Sequence, residues 1–210
     1  MQLSPRNARG ACREVLRSND TAKRSAEIVV AARELYEEKG LAHTSIQDIT
    51  NHVGVTRSLF YHYFQNKDEV TAAVLDQYIT DFLEALRRWH ENQSQQSAED
   101  SLPSMVKIMR QVLFEKNTFR LSLSAQENAA LYLEFLNRFA SQSAAYLVAH
   151  PIEDHTKYGL PSDHLYEAFY VLIVGLVSYL RTHPDADDEV LVDVVTRMLS
   201  ADAAAVEEVA

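Results

Sequence analysis

Residues 44–67 constrain the fold of this 210-residue chain more than any other stretch, and they read TSIQDITNHVGVTRSLFYHYFQNK. Ile46, Ile49 and Val53 recur at helical spacing, so they fall on one face of a short helix. Gly54 follows them, and glycine adopts a positive φ without steric cost. The pattern predicts a short helix that ends in a tight turn.

The polar residues around this turn are typical of helix caps. Thr44 or Ser45 is placed to N-cap the first helix, and Gln47 or Asp48 is placed to complete a capping box. Thr56 follows the turn and is placed to cap a second helix. The caps therefore predict where both helices begin.

The second predicted helix carries apolar side chains that can pack back on the first, namely Leu59, Phe60 and Phe64. It is short, so its outer face can lie in a DNA major groove about 12 Å wide. Two short helices joined by a tight turn, with the second one facing a groove, have the layout of a helix-turn-helix DNA-binding motif.

This segment resembles the N-terminal DNA-binding domain of the TetR family of transcriptional regulators. The family pattern runs Thr-Ser/Thr-Val/Ile, then Asp-Ile-Ala, Gly-Val-Ser, Tyr-x-Tyr/His-Phe and a final Lys. Its elements stand in this sequence as Thr44–Ile46, Asp48–Thr50, Gly54–Thr56, Tyr61–Phe64 and Lys67. The preceding residues, IVVAARELYEEKG, fit a helix that ends at a C′ glycine, whereas the rest of the chain carries no comparable motif.

Four positions depart from the family pattern. Thr50 and Val53 stand where alanine is usual or common, and both suggest slightly altered packing between the helices. Ser58 and Leu59 stand in the recognition helix, where the family often has glycine followed by threonine, alanine or asparagine. Leu59 is compatible with packing inward and with touching a thymine methyl group.

The start of a recognition helix faces base edges, and the residues around it grip phosphates. Arg57 is therefore the first candidate for reading a base, because its guanidinium fork matches guanine O6 and N7. The resemblance implies that Ser58 and Gln47 contact bases or adjacent phosphates. The expected DNA-binding residues are Thr44, Ser45, Gln47, Thr56, Arg57, Ser58, Tyr61, His62, Tyr63 and Lys67.

Within this set, residues 61–63 and Lys67 are expected mostly to hold phosphates. Thr44, Ser45 and Thr56 are expected to contribute hydroxyls or helix N-terminal amides. Tyr61 and Tyr63 lie two positions apart on a helix and cannot face DNA in the same way, so a partial core role stays open for one of them.

The charge of the chain is divided unevenly. The net charge is −10, but residues 1–67 hold 10 Lys and Arg against 7 Asp and Glu, while the rest holds 10 against 23. DNA affinity depends on local phosphate neutralisation, so an acidic C-terminal part is compatible with a DNA-binding N-terminal part. The single cysteine, Cys12, excludes an intramolecular disulfide, and we expect a cytoplasmic protein.

Apolar residues after Lys67 recur at helical spacing through about Trp89, which predicts one long amphipathic helix. Further helices are predicted at roughly 102–116, 119–123, 125–149, 164–181 and 186–200. We expect an all-α fold with three parts: a mobile basic arm at 1–20, a three-helix helix-turn-helix domain at 21–67, and a helical ligand-binding and dimerisation domain at 68–210. The arm is open to interpretation as a minor-groove or phosphate tether, or as a solvated or weakly helical leader.

The segment 164–181 is apolar almost all round, but its unbroken apolar core is too short to span a bilayer. We therefore expect a buried helix and no membrane partner. In the TetR family the two C-terminal helices of each subunit form a four-helix bundle. The resemblance thus implies a twofold homodimer that binds a pseudopalindromic operator.

The resemblance also implies a small-molecule effector site in the C-terminal domain. Candidate pocket residues are Trp89, Met109, Phe114, Tyr132, Phe135, Tyr166, Phe169 and Tyr170. Aromatic residues at helical spacing are also what an ordinary core contains, so plain core packing stays the alternative for each.

Catalytic and metal sites are not expected. The sequence contains no glycine-rich phosphate loop and no GxSxG or HExxH motif. The histidines and acids between His150 and His164 match no recognised zinc spacing. We expect no enzyme, metal or cofactor.

The resulting hypothesis is a TetR-like transcriptional regulator, a repressor released from its operator by a small molecule. The alternative is a helical dimeric adaptor that acts through protein contacts without sequence-specific DNA binding.

Overall fold

The computed structural model describes residues 5–92, 101–114, 128–150 and 164–200. These residues form eight α-helices and no strand, which confirms the predicted all-α class. The helices are α1 (Pro5–Lys39), α2 (Ile46–Val53), α3 (Arg57–Tyr63), α4 (Lys67–Asn92), α5 (Ser101–Phe114), α6 (Ala129–Ala149), α7 (Leu165–Thr182) and α8 (Asp188–Ser200). The short helix predicted at 119–123 and all of the predicted 150–163 connection except His150 lie outside the described residues.

The chain divides into two compact units, Met1–Val74 and Leu75–Ala210. The predicted boundary after Lys67 coincides with the start of α4, but the N-terminal unit includes the first two turns of that helix. Val70 and Thr71 explain the difference, because both side chains are buried and the Thr71 hydroxyl bonds to Tyr36.

Helix α1 begins at Pro5, so residues 5–20 of the predicted arm are helical, as in the alternative of a helical leader. Proline suits the first position of a helix, where its missing N–H leaves no bond unmade. Between Pro5 and Gly40 the only strong helix breaker is Gly10, so helical propensity carries through to the predicted end. Gly40 has φ +86° and its N–H donates to the Tyr36 carbonyl at 3.0 Å, as expected of a C′ glycine.

A relay of hydroxyl groups crosses the core of the N-terminal unit. The Thr71 hydroxyl donates its single proton to the Lys67 carbonyl at 2.7 Å, so the Tyr36 hydroxyl must donate to Thr71 Oγ1 at 2.9 Å. Burial raises the pKa of Tyr36 to about 12. This relay lets a tyrosine lie fully buried between α1 and α4 without an unpaired polar atom.

In the C-terminal unit, α6 packs against α7, and α5 packs against α8. Both α6 and α7 end in the same sequence, Tyr-Leu-x-x-His-Pro. His150 stacks on Tyr146 with ring centroids 4.2 Å apart, and His183 stacks on Tyr179 at 4.3 Å. The backbone N–H of each histidine donates to the backbone carbonyl of the tyrosine four residues before it. The Nδ1 atom of each histidine lies within 3.3 Å of the same carbonyl. The repeated segment is therefore a C-terminal capping device.

Helix α7 is not buried on all sides, which corrects the prediction for 164–181. One face is buried in the unit, but Val171 is 67 % exposed and Tyr179 is 45 % exposed. The described residues of the chain supply neighbours for only one side of this helix. By length and composition alone, α7 is the one described helix long and apolar enough to cross a membrane, a test that core helices of soluble proteins also pass.

Arg110 on α5 ties the turn between α7 and α8 to the body of the C-terminal unit. Its Nε donates to Asp188 Oδ1 at 2.6 Å, its Nη1 donates to the Pro184 carbonyl at 2.6 Å, and its Nη2 donates to the Ala186 carbonyl. Three bonds from one planar guanidinium hold the start of α8 in place.

We expect Arg110→Ala to lower the free energy of unfolding by about 1–3 kcal/mol, because it breaks a half-buried, charge-assisted set of bonds. Arg197→Ala is the matched control, since among the described residues Arg197 bonds to Asp193 alone, within one exposed helix turn, and it should cost less than about 0.5 kcal/mol. Denaturant unfolding of the two variants checks the difference. Equal losses would contradict the clamping role of Arg110.

Candidate nucleic-acid interface

The first helix of the motif begins at a capping box that the structure assigns to Ser45 and Asp48. Ser45 Oγ accepts from the Asp48 N–H at 3.2 Å, and Asp48 Oδ2 accepts from the Ser45 N–H at 2.7 Å. The Ser45 hydroxyl also donates to Asp48 Oδ2 at 2.6 Å. Of the alternatives that the sequence left open, Ser45 and Asp48 form the box, and the Gln47 side chain does not.

These bonds keep Asp48 ionised. The Ser45 hydroxyl and amide donate to the carboxylate and, with help from Lys39 at 3.3 Å, lower the pKa of Asp48 to about 2. The negative charge of Asp48 is thus committed to the N-terminus of α2, where the helix dipole favours it.

We expect Ser45→Ala to raise the pKa of Asp48 toward the ordinary 3.8, because the mutation removes the largest cause of its depression. The native pKa is depressed, so the stabilising effect of the ionised carboxylate is complete above about pH 4 and is lost as the pH falls through 2. Carboxyl chemical shifts of Asp48 followed by NMR between pH 6 and about 1.5 check this.

Ser25→Ala on α1 provides the matched control and should leave the Asp48 titration unchanged. A pKa that stays near 2 in Ser45→Ala would show that other groups hold the carboxylate ionised.

The turn between α2 and α3 is built around the Thr50 carbonyl. It accepts from the Gly54 N–H at 3.0 Å and from the Val55 N–H at 2.9 Å, and Gly54 has φ +76°. The positive φ predicted for this glycine is confirmed. Thr50 occupies the tightly packed position where alanine is usual, and its buried hydroxyl is satisfied by donating to the Gln47 carbonyl at 3.0 Å.

Helix α3 buries one side and exposes the other. Thr56 caps it by accepting from the Leu59 N–H at 3.2 Å. Phe60 is fully buried and Phe64 is nearly so, with ring centroids 5.7 Å apart. The side chains on the outer side are Arg57, Ser58, Tyr61 and His62.

The two tyrosines of α3 have different surroundings. Tyr61 is 51 % exposed and points away from the core, whereas Tyr63 is half-buried beside the His62 ring. Leu59 is also half-buried. The outer face of α3 is therefore presented mainly by Arg57, Ser58 and Tyr61.

Gln47 lies on the exposed side of α2, and its Nε2 donates to Asn51 Oδ1 at 2.7 Å. Asn51 is one turn further along the same exposed side and was not singled out from the sequence. An asparagine four residues after a candidate contact on a helix is the pattern that points to it.

Thr44 has a hydroxyl that is buried and bonded within the N-terminal unit. Its side chain is only 2 % exposed, and its hydroxyl lies 2.9 Å from the Gly40 carbonyl and 3.3 Å from the Leu35 carbonyl. It closes the end of α1. The Ser45 and Thr56 hydroxyls remain exposed but already serve as caps.

Lys67 also makes an internal bond, because its Nζ donates to the Leu41 carbonyl at 2.5 Å. The side chain is half-buried, and this burial lowers its pKa. Lys67 thus joins the start of α4 to the connection between α1 and α2. Its role as a phosphate contact stays a prediction.

The predicted pocket residues belong to the C-terminal unit, which contains a cavity of about 30 Å³ between α4, α5, α6 and α7. Met109 and Phe169 line it. Trp89 donates to Ser104 Oγ at 2.7 Å and Tyr170 donates to Asn137 Oδ1 at 2.8 Å, both outside the cavity lining. Of the other predicted residues, the lining also omits Tyr132, Phe135 and Tyr166, and the Phe114 side chain lies outside what the structure describes.

Sequence comparison agrees with the motif. Residues 28–74 match the family model of bacterial regulatory proteins, tetR family. The HTH-type transcriptional regulator TtgR of Pseudomonas putida is 33 % identical over 102 residues, covering 48 % of this chain and 45 % of the relative. EthR of Mycobacterium tuberculosis, also an HTH-type transcriptional regulator, is 25 % identical over 154 residues, covering 71 % of each chain.

The chain spans about half the length of the first of these curated relatives. The matches nevertheless confirm the predicted TetR-family resemblance of the N-terminal region.

Solved structures resemble the whole fold. The crystal structure of RolR with the ligand resorcinol has a TM-score of 0.64 at 19 % identity and covers 89 % of this chain and 93 % of that one. The crystal structure of the multidrug binding protein EbrR with imidazole has a TM-score of 0.57 at 19 % identity, covering 84 % and 89 %. At these identities the likeness shows the fold alone.

Proposed function

We propose that this chain is a cytoplasmic DNA-binding transcriptional regulator, a TetR-like repressor that a small molecule releases from its operator. The observation that carries this proposal is the outer face of α3, where polar and basic side chains are exposed opposite a fully buried Phe60. The family match over residues 28–74 supports it independently.

Arg57 is proposed as the base-reading residue. It is the first residue of α3 and is exposed, and in the part of the chain that the structure describes its guanidinium makes no hydrogen bond or ion pair. The N-terminal residues of a recognition helix contact base edges. An unoccupied guanidinium fork at that position is suited to guanine O6 and N7.

Ser58, Tyr61 and His62 surround Arg57 on the outer face and are proposed to hold bases or neighbouring phosphates. Hydroxyl and imidazole groups donate to phosphate oxygens, and such contacts set the register of the protein on DNA without carrying sequence information. Gln47 is proposed to contribute from the exposed side of α2.

We expect Arg57→Ala to weaken operator binding by about 1–3 kcal/mol and to relax the preference at one base pair. Arg197→Ala, an exposed arginine of the C-terminal unit, is the matched control and should bind as the wild type does. Titration of operator and random duplexes at several salt concentrations measures both effects. Equal losses on the two duplexes would refute a base-reading role for Arg57.

A second copy of the chain is proposed as the partner. A single α3 has seven residues and contacts only a few base pairs. Recognition of a longer DNA sequence therefore requires two copies of α3 related by a twofold axis. The C-terminal helices α7 and α8 each leave exposed apolar side chains that a second copy would cover. They are Val171 and Tyr179 on α7, and Val190, Val194 and Met198 on α8.

Gly175 lies on the exposed side of α7, and a Cβ built there meets nothing within 4 Å. A glycine at that place allows another helix to approach closely. The exposed apolar surface and this open position together support a homodimer through α7 and α8.

We expect Val171→Glu to convert the dimer into a monomer, because it places a charge in the middle of an apolar contact. Val30→Glu is the matched control, since Val30 is an exposed valine of the N-terminal unit at 46 % exposure, and it should stay dimeric. Light scattering at micromolar protein distinguishes the two states. A wild type that is monomeric, or a Val171→Glu variant that stays dimeric, would contradict this interface.

A small molecule is proposed to bind the C-terminal unit and to prefer the conformation that fits DNA poorly. The operator affinity then falls by the ratio of the ligand's affinities for the two conformations. Two of the similar solved structures contain a small ring compound, resorcinol in RolR and imidazole in EbrR. These ligands belong to those proteins, and they support a ligand of similar size here.

Selection of bound sites from random DNA tests the proposal directly. A pseudopalindromic consensus, bound with a steep dependence on salt, is expected. Compounds are then screened for release of the best site. No enriched sequence would favour the alternative of a dimeric adaptor that acts through protein contacts.

A further inference from the structure

The cavity of the C-terminal unit contains one polar side chain among apolar ones. Ser143 on α6 is fully buried, and its hydroxyl has no hydrogen-bond partner among the residues that the structure describes. Its neighbours in the lining include Phe139 and Leu147, one turn before and one turn after it on α6. A serine thus interrupts an apolar stripe at the point where the stripe faces a cavity.

An unpaired buried hydroxyl is unfavourable, because it has lost its bonds to water without gaining others. A serine inside a helix usually donates to the carbonyl four residues before it, and here that bond is not formed. Water is a poor substitute, since a buried water needs two to four polar partners and the described lining offers only Ser143. The hydroxyl is therefore available to a ligand.

No charged side chain belongs to the described lining of the cavity. An ionised group that entered it would lose its hydration without finding a counter-charge, at a cost far above that of an unpaired hydroxyl. The surrounding rings and methyl groups favour a ligand with an apolar body.

We infer that this cavity binds a small, uncharged and largely apolar molecule whose single hydrogen-bonding group meets the Ser143 hydroxyl. The inference rests on the proposed function, in which the C-terminal unit binds an effector, and it adds the chemical class of that effector and the residue that positions it.

The size of the cavity sets a condition on binding. Its 30 Å³ accommodates two or three waters, at roughly 10–15 Å³ each, whereas a benzene-sized ligand occupies a cavity of about 150 Å³. The wall must therefore move. Met105 and Met109 of α5 both line the cavity, and methionine changes shape more readily than other apolar side chains. The ligand enlarges the cavity on the α5 side.

Phenol and toluene are the probes that test this inference, because they have nearly the same shape and differ in one hydrogen-bonding group. Calorimetric titration of the full chain without DNA is compared for the wild type and Ser143→Ala. Phenol binding should weaken by about two- to tenfold in Ser143→Ala, the usual effect of one hydrogen bond, while toluene binding stays unchanged or strengthens.

Ser141→Ala is the matched control, since Ser141 lies on the same helix and outside the cavity lining. It should leave the binding of both probes unchanged. Benzoate, which adds a negative charge to the same ring, should not bind the wild type. Equal changes for phenol and toluene, or benzoate binding as tight as phenol binding, would overturn the inference.

Thermal unfolding without any ligand separates a ligand-facing serine from a structural one. Ser143→Ala should raise Tm, because an unpaired buried hydroxyl is removed. A lower Tm would show that the hydroxyl has a partner inside the protein, and the inference would fail.

The proposed effector role is tested separately, by measuring whether phenol releases the protein from the selected DNA site. Phenol that binds through Ser143 but releases no DNA would contradict the effector role and leave the ligand class intact. Sequence-selective DNA binding with no phenol or toluene binding would overturn the ligand class and leave the DNA-binding role intact.

Discussion

The burial of Phe60 is the constraint on which the proposed DNA-binding surface depends. Helix α3 has only seven residues, so its rotation about its own axis is set by the few side chains that enter the core. With Phe60 and Phe64 inside, the helical period places Ser58, Tyr61 and His62 on the opposite side. Arg57 joins them because it stands at the exposed start of the helix.

The polar residues of the motif divide between holding the helices and facing outward. Ser45, Asp48 and Thr56 satisfy backbone groups at helix starts, which would otherwise lack partners. Thr44 and Lys67 bond to carbonyls at the end of α1 and in the connection that follows it. Such bonds orient α2, α3 and the start of α4 within one unit, so that the outward residues are presented by a preorganised surface.

The C-terminal unit has two incomplete features of opposite kind. The exposed apolar faces of α7 and α8 lack a covering surface, which a second copy of the chain would provide. Within the described part of the unit the Ser143 hydroxyl lacks a hydrogen-bond partner, which a small molecule would provide. In the first case the exposed apolar side chains indicate an apolar protein surface as the partner. In the second case the unpaired hydroxyl indicates a ligand with one hydrogen-bonding group.

The sequence by itself determined the helices of the motif and their order, and it narrowed each cap to one or two residues, because caps, helical periodicity and the glycine turn are local properties. It also identified Arg57 as the first candidate for reading a base, but it left open which of Tyr61 and Tyr63 faces outward. Only the tertiary structure decided that Thr44 is internal, that α7 keeps an exposed face and that the Ser143 hydroxyl has no partner among the described residues. Those features depend on which distant residues lie beside each side chain, and helical spacing does not contain that information.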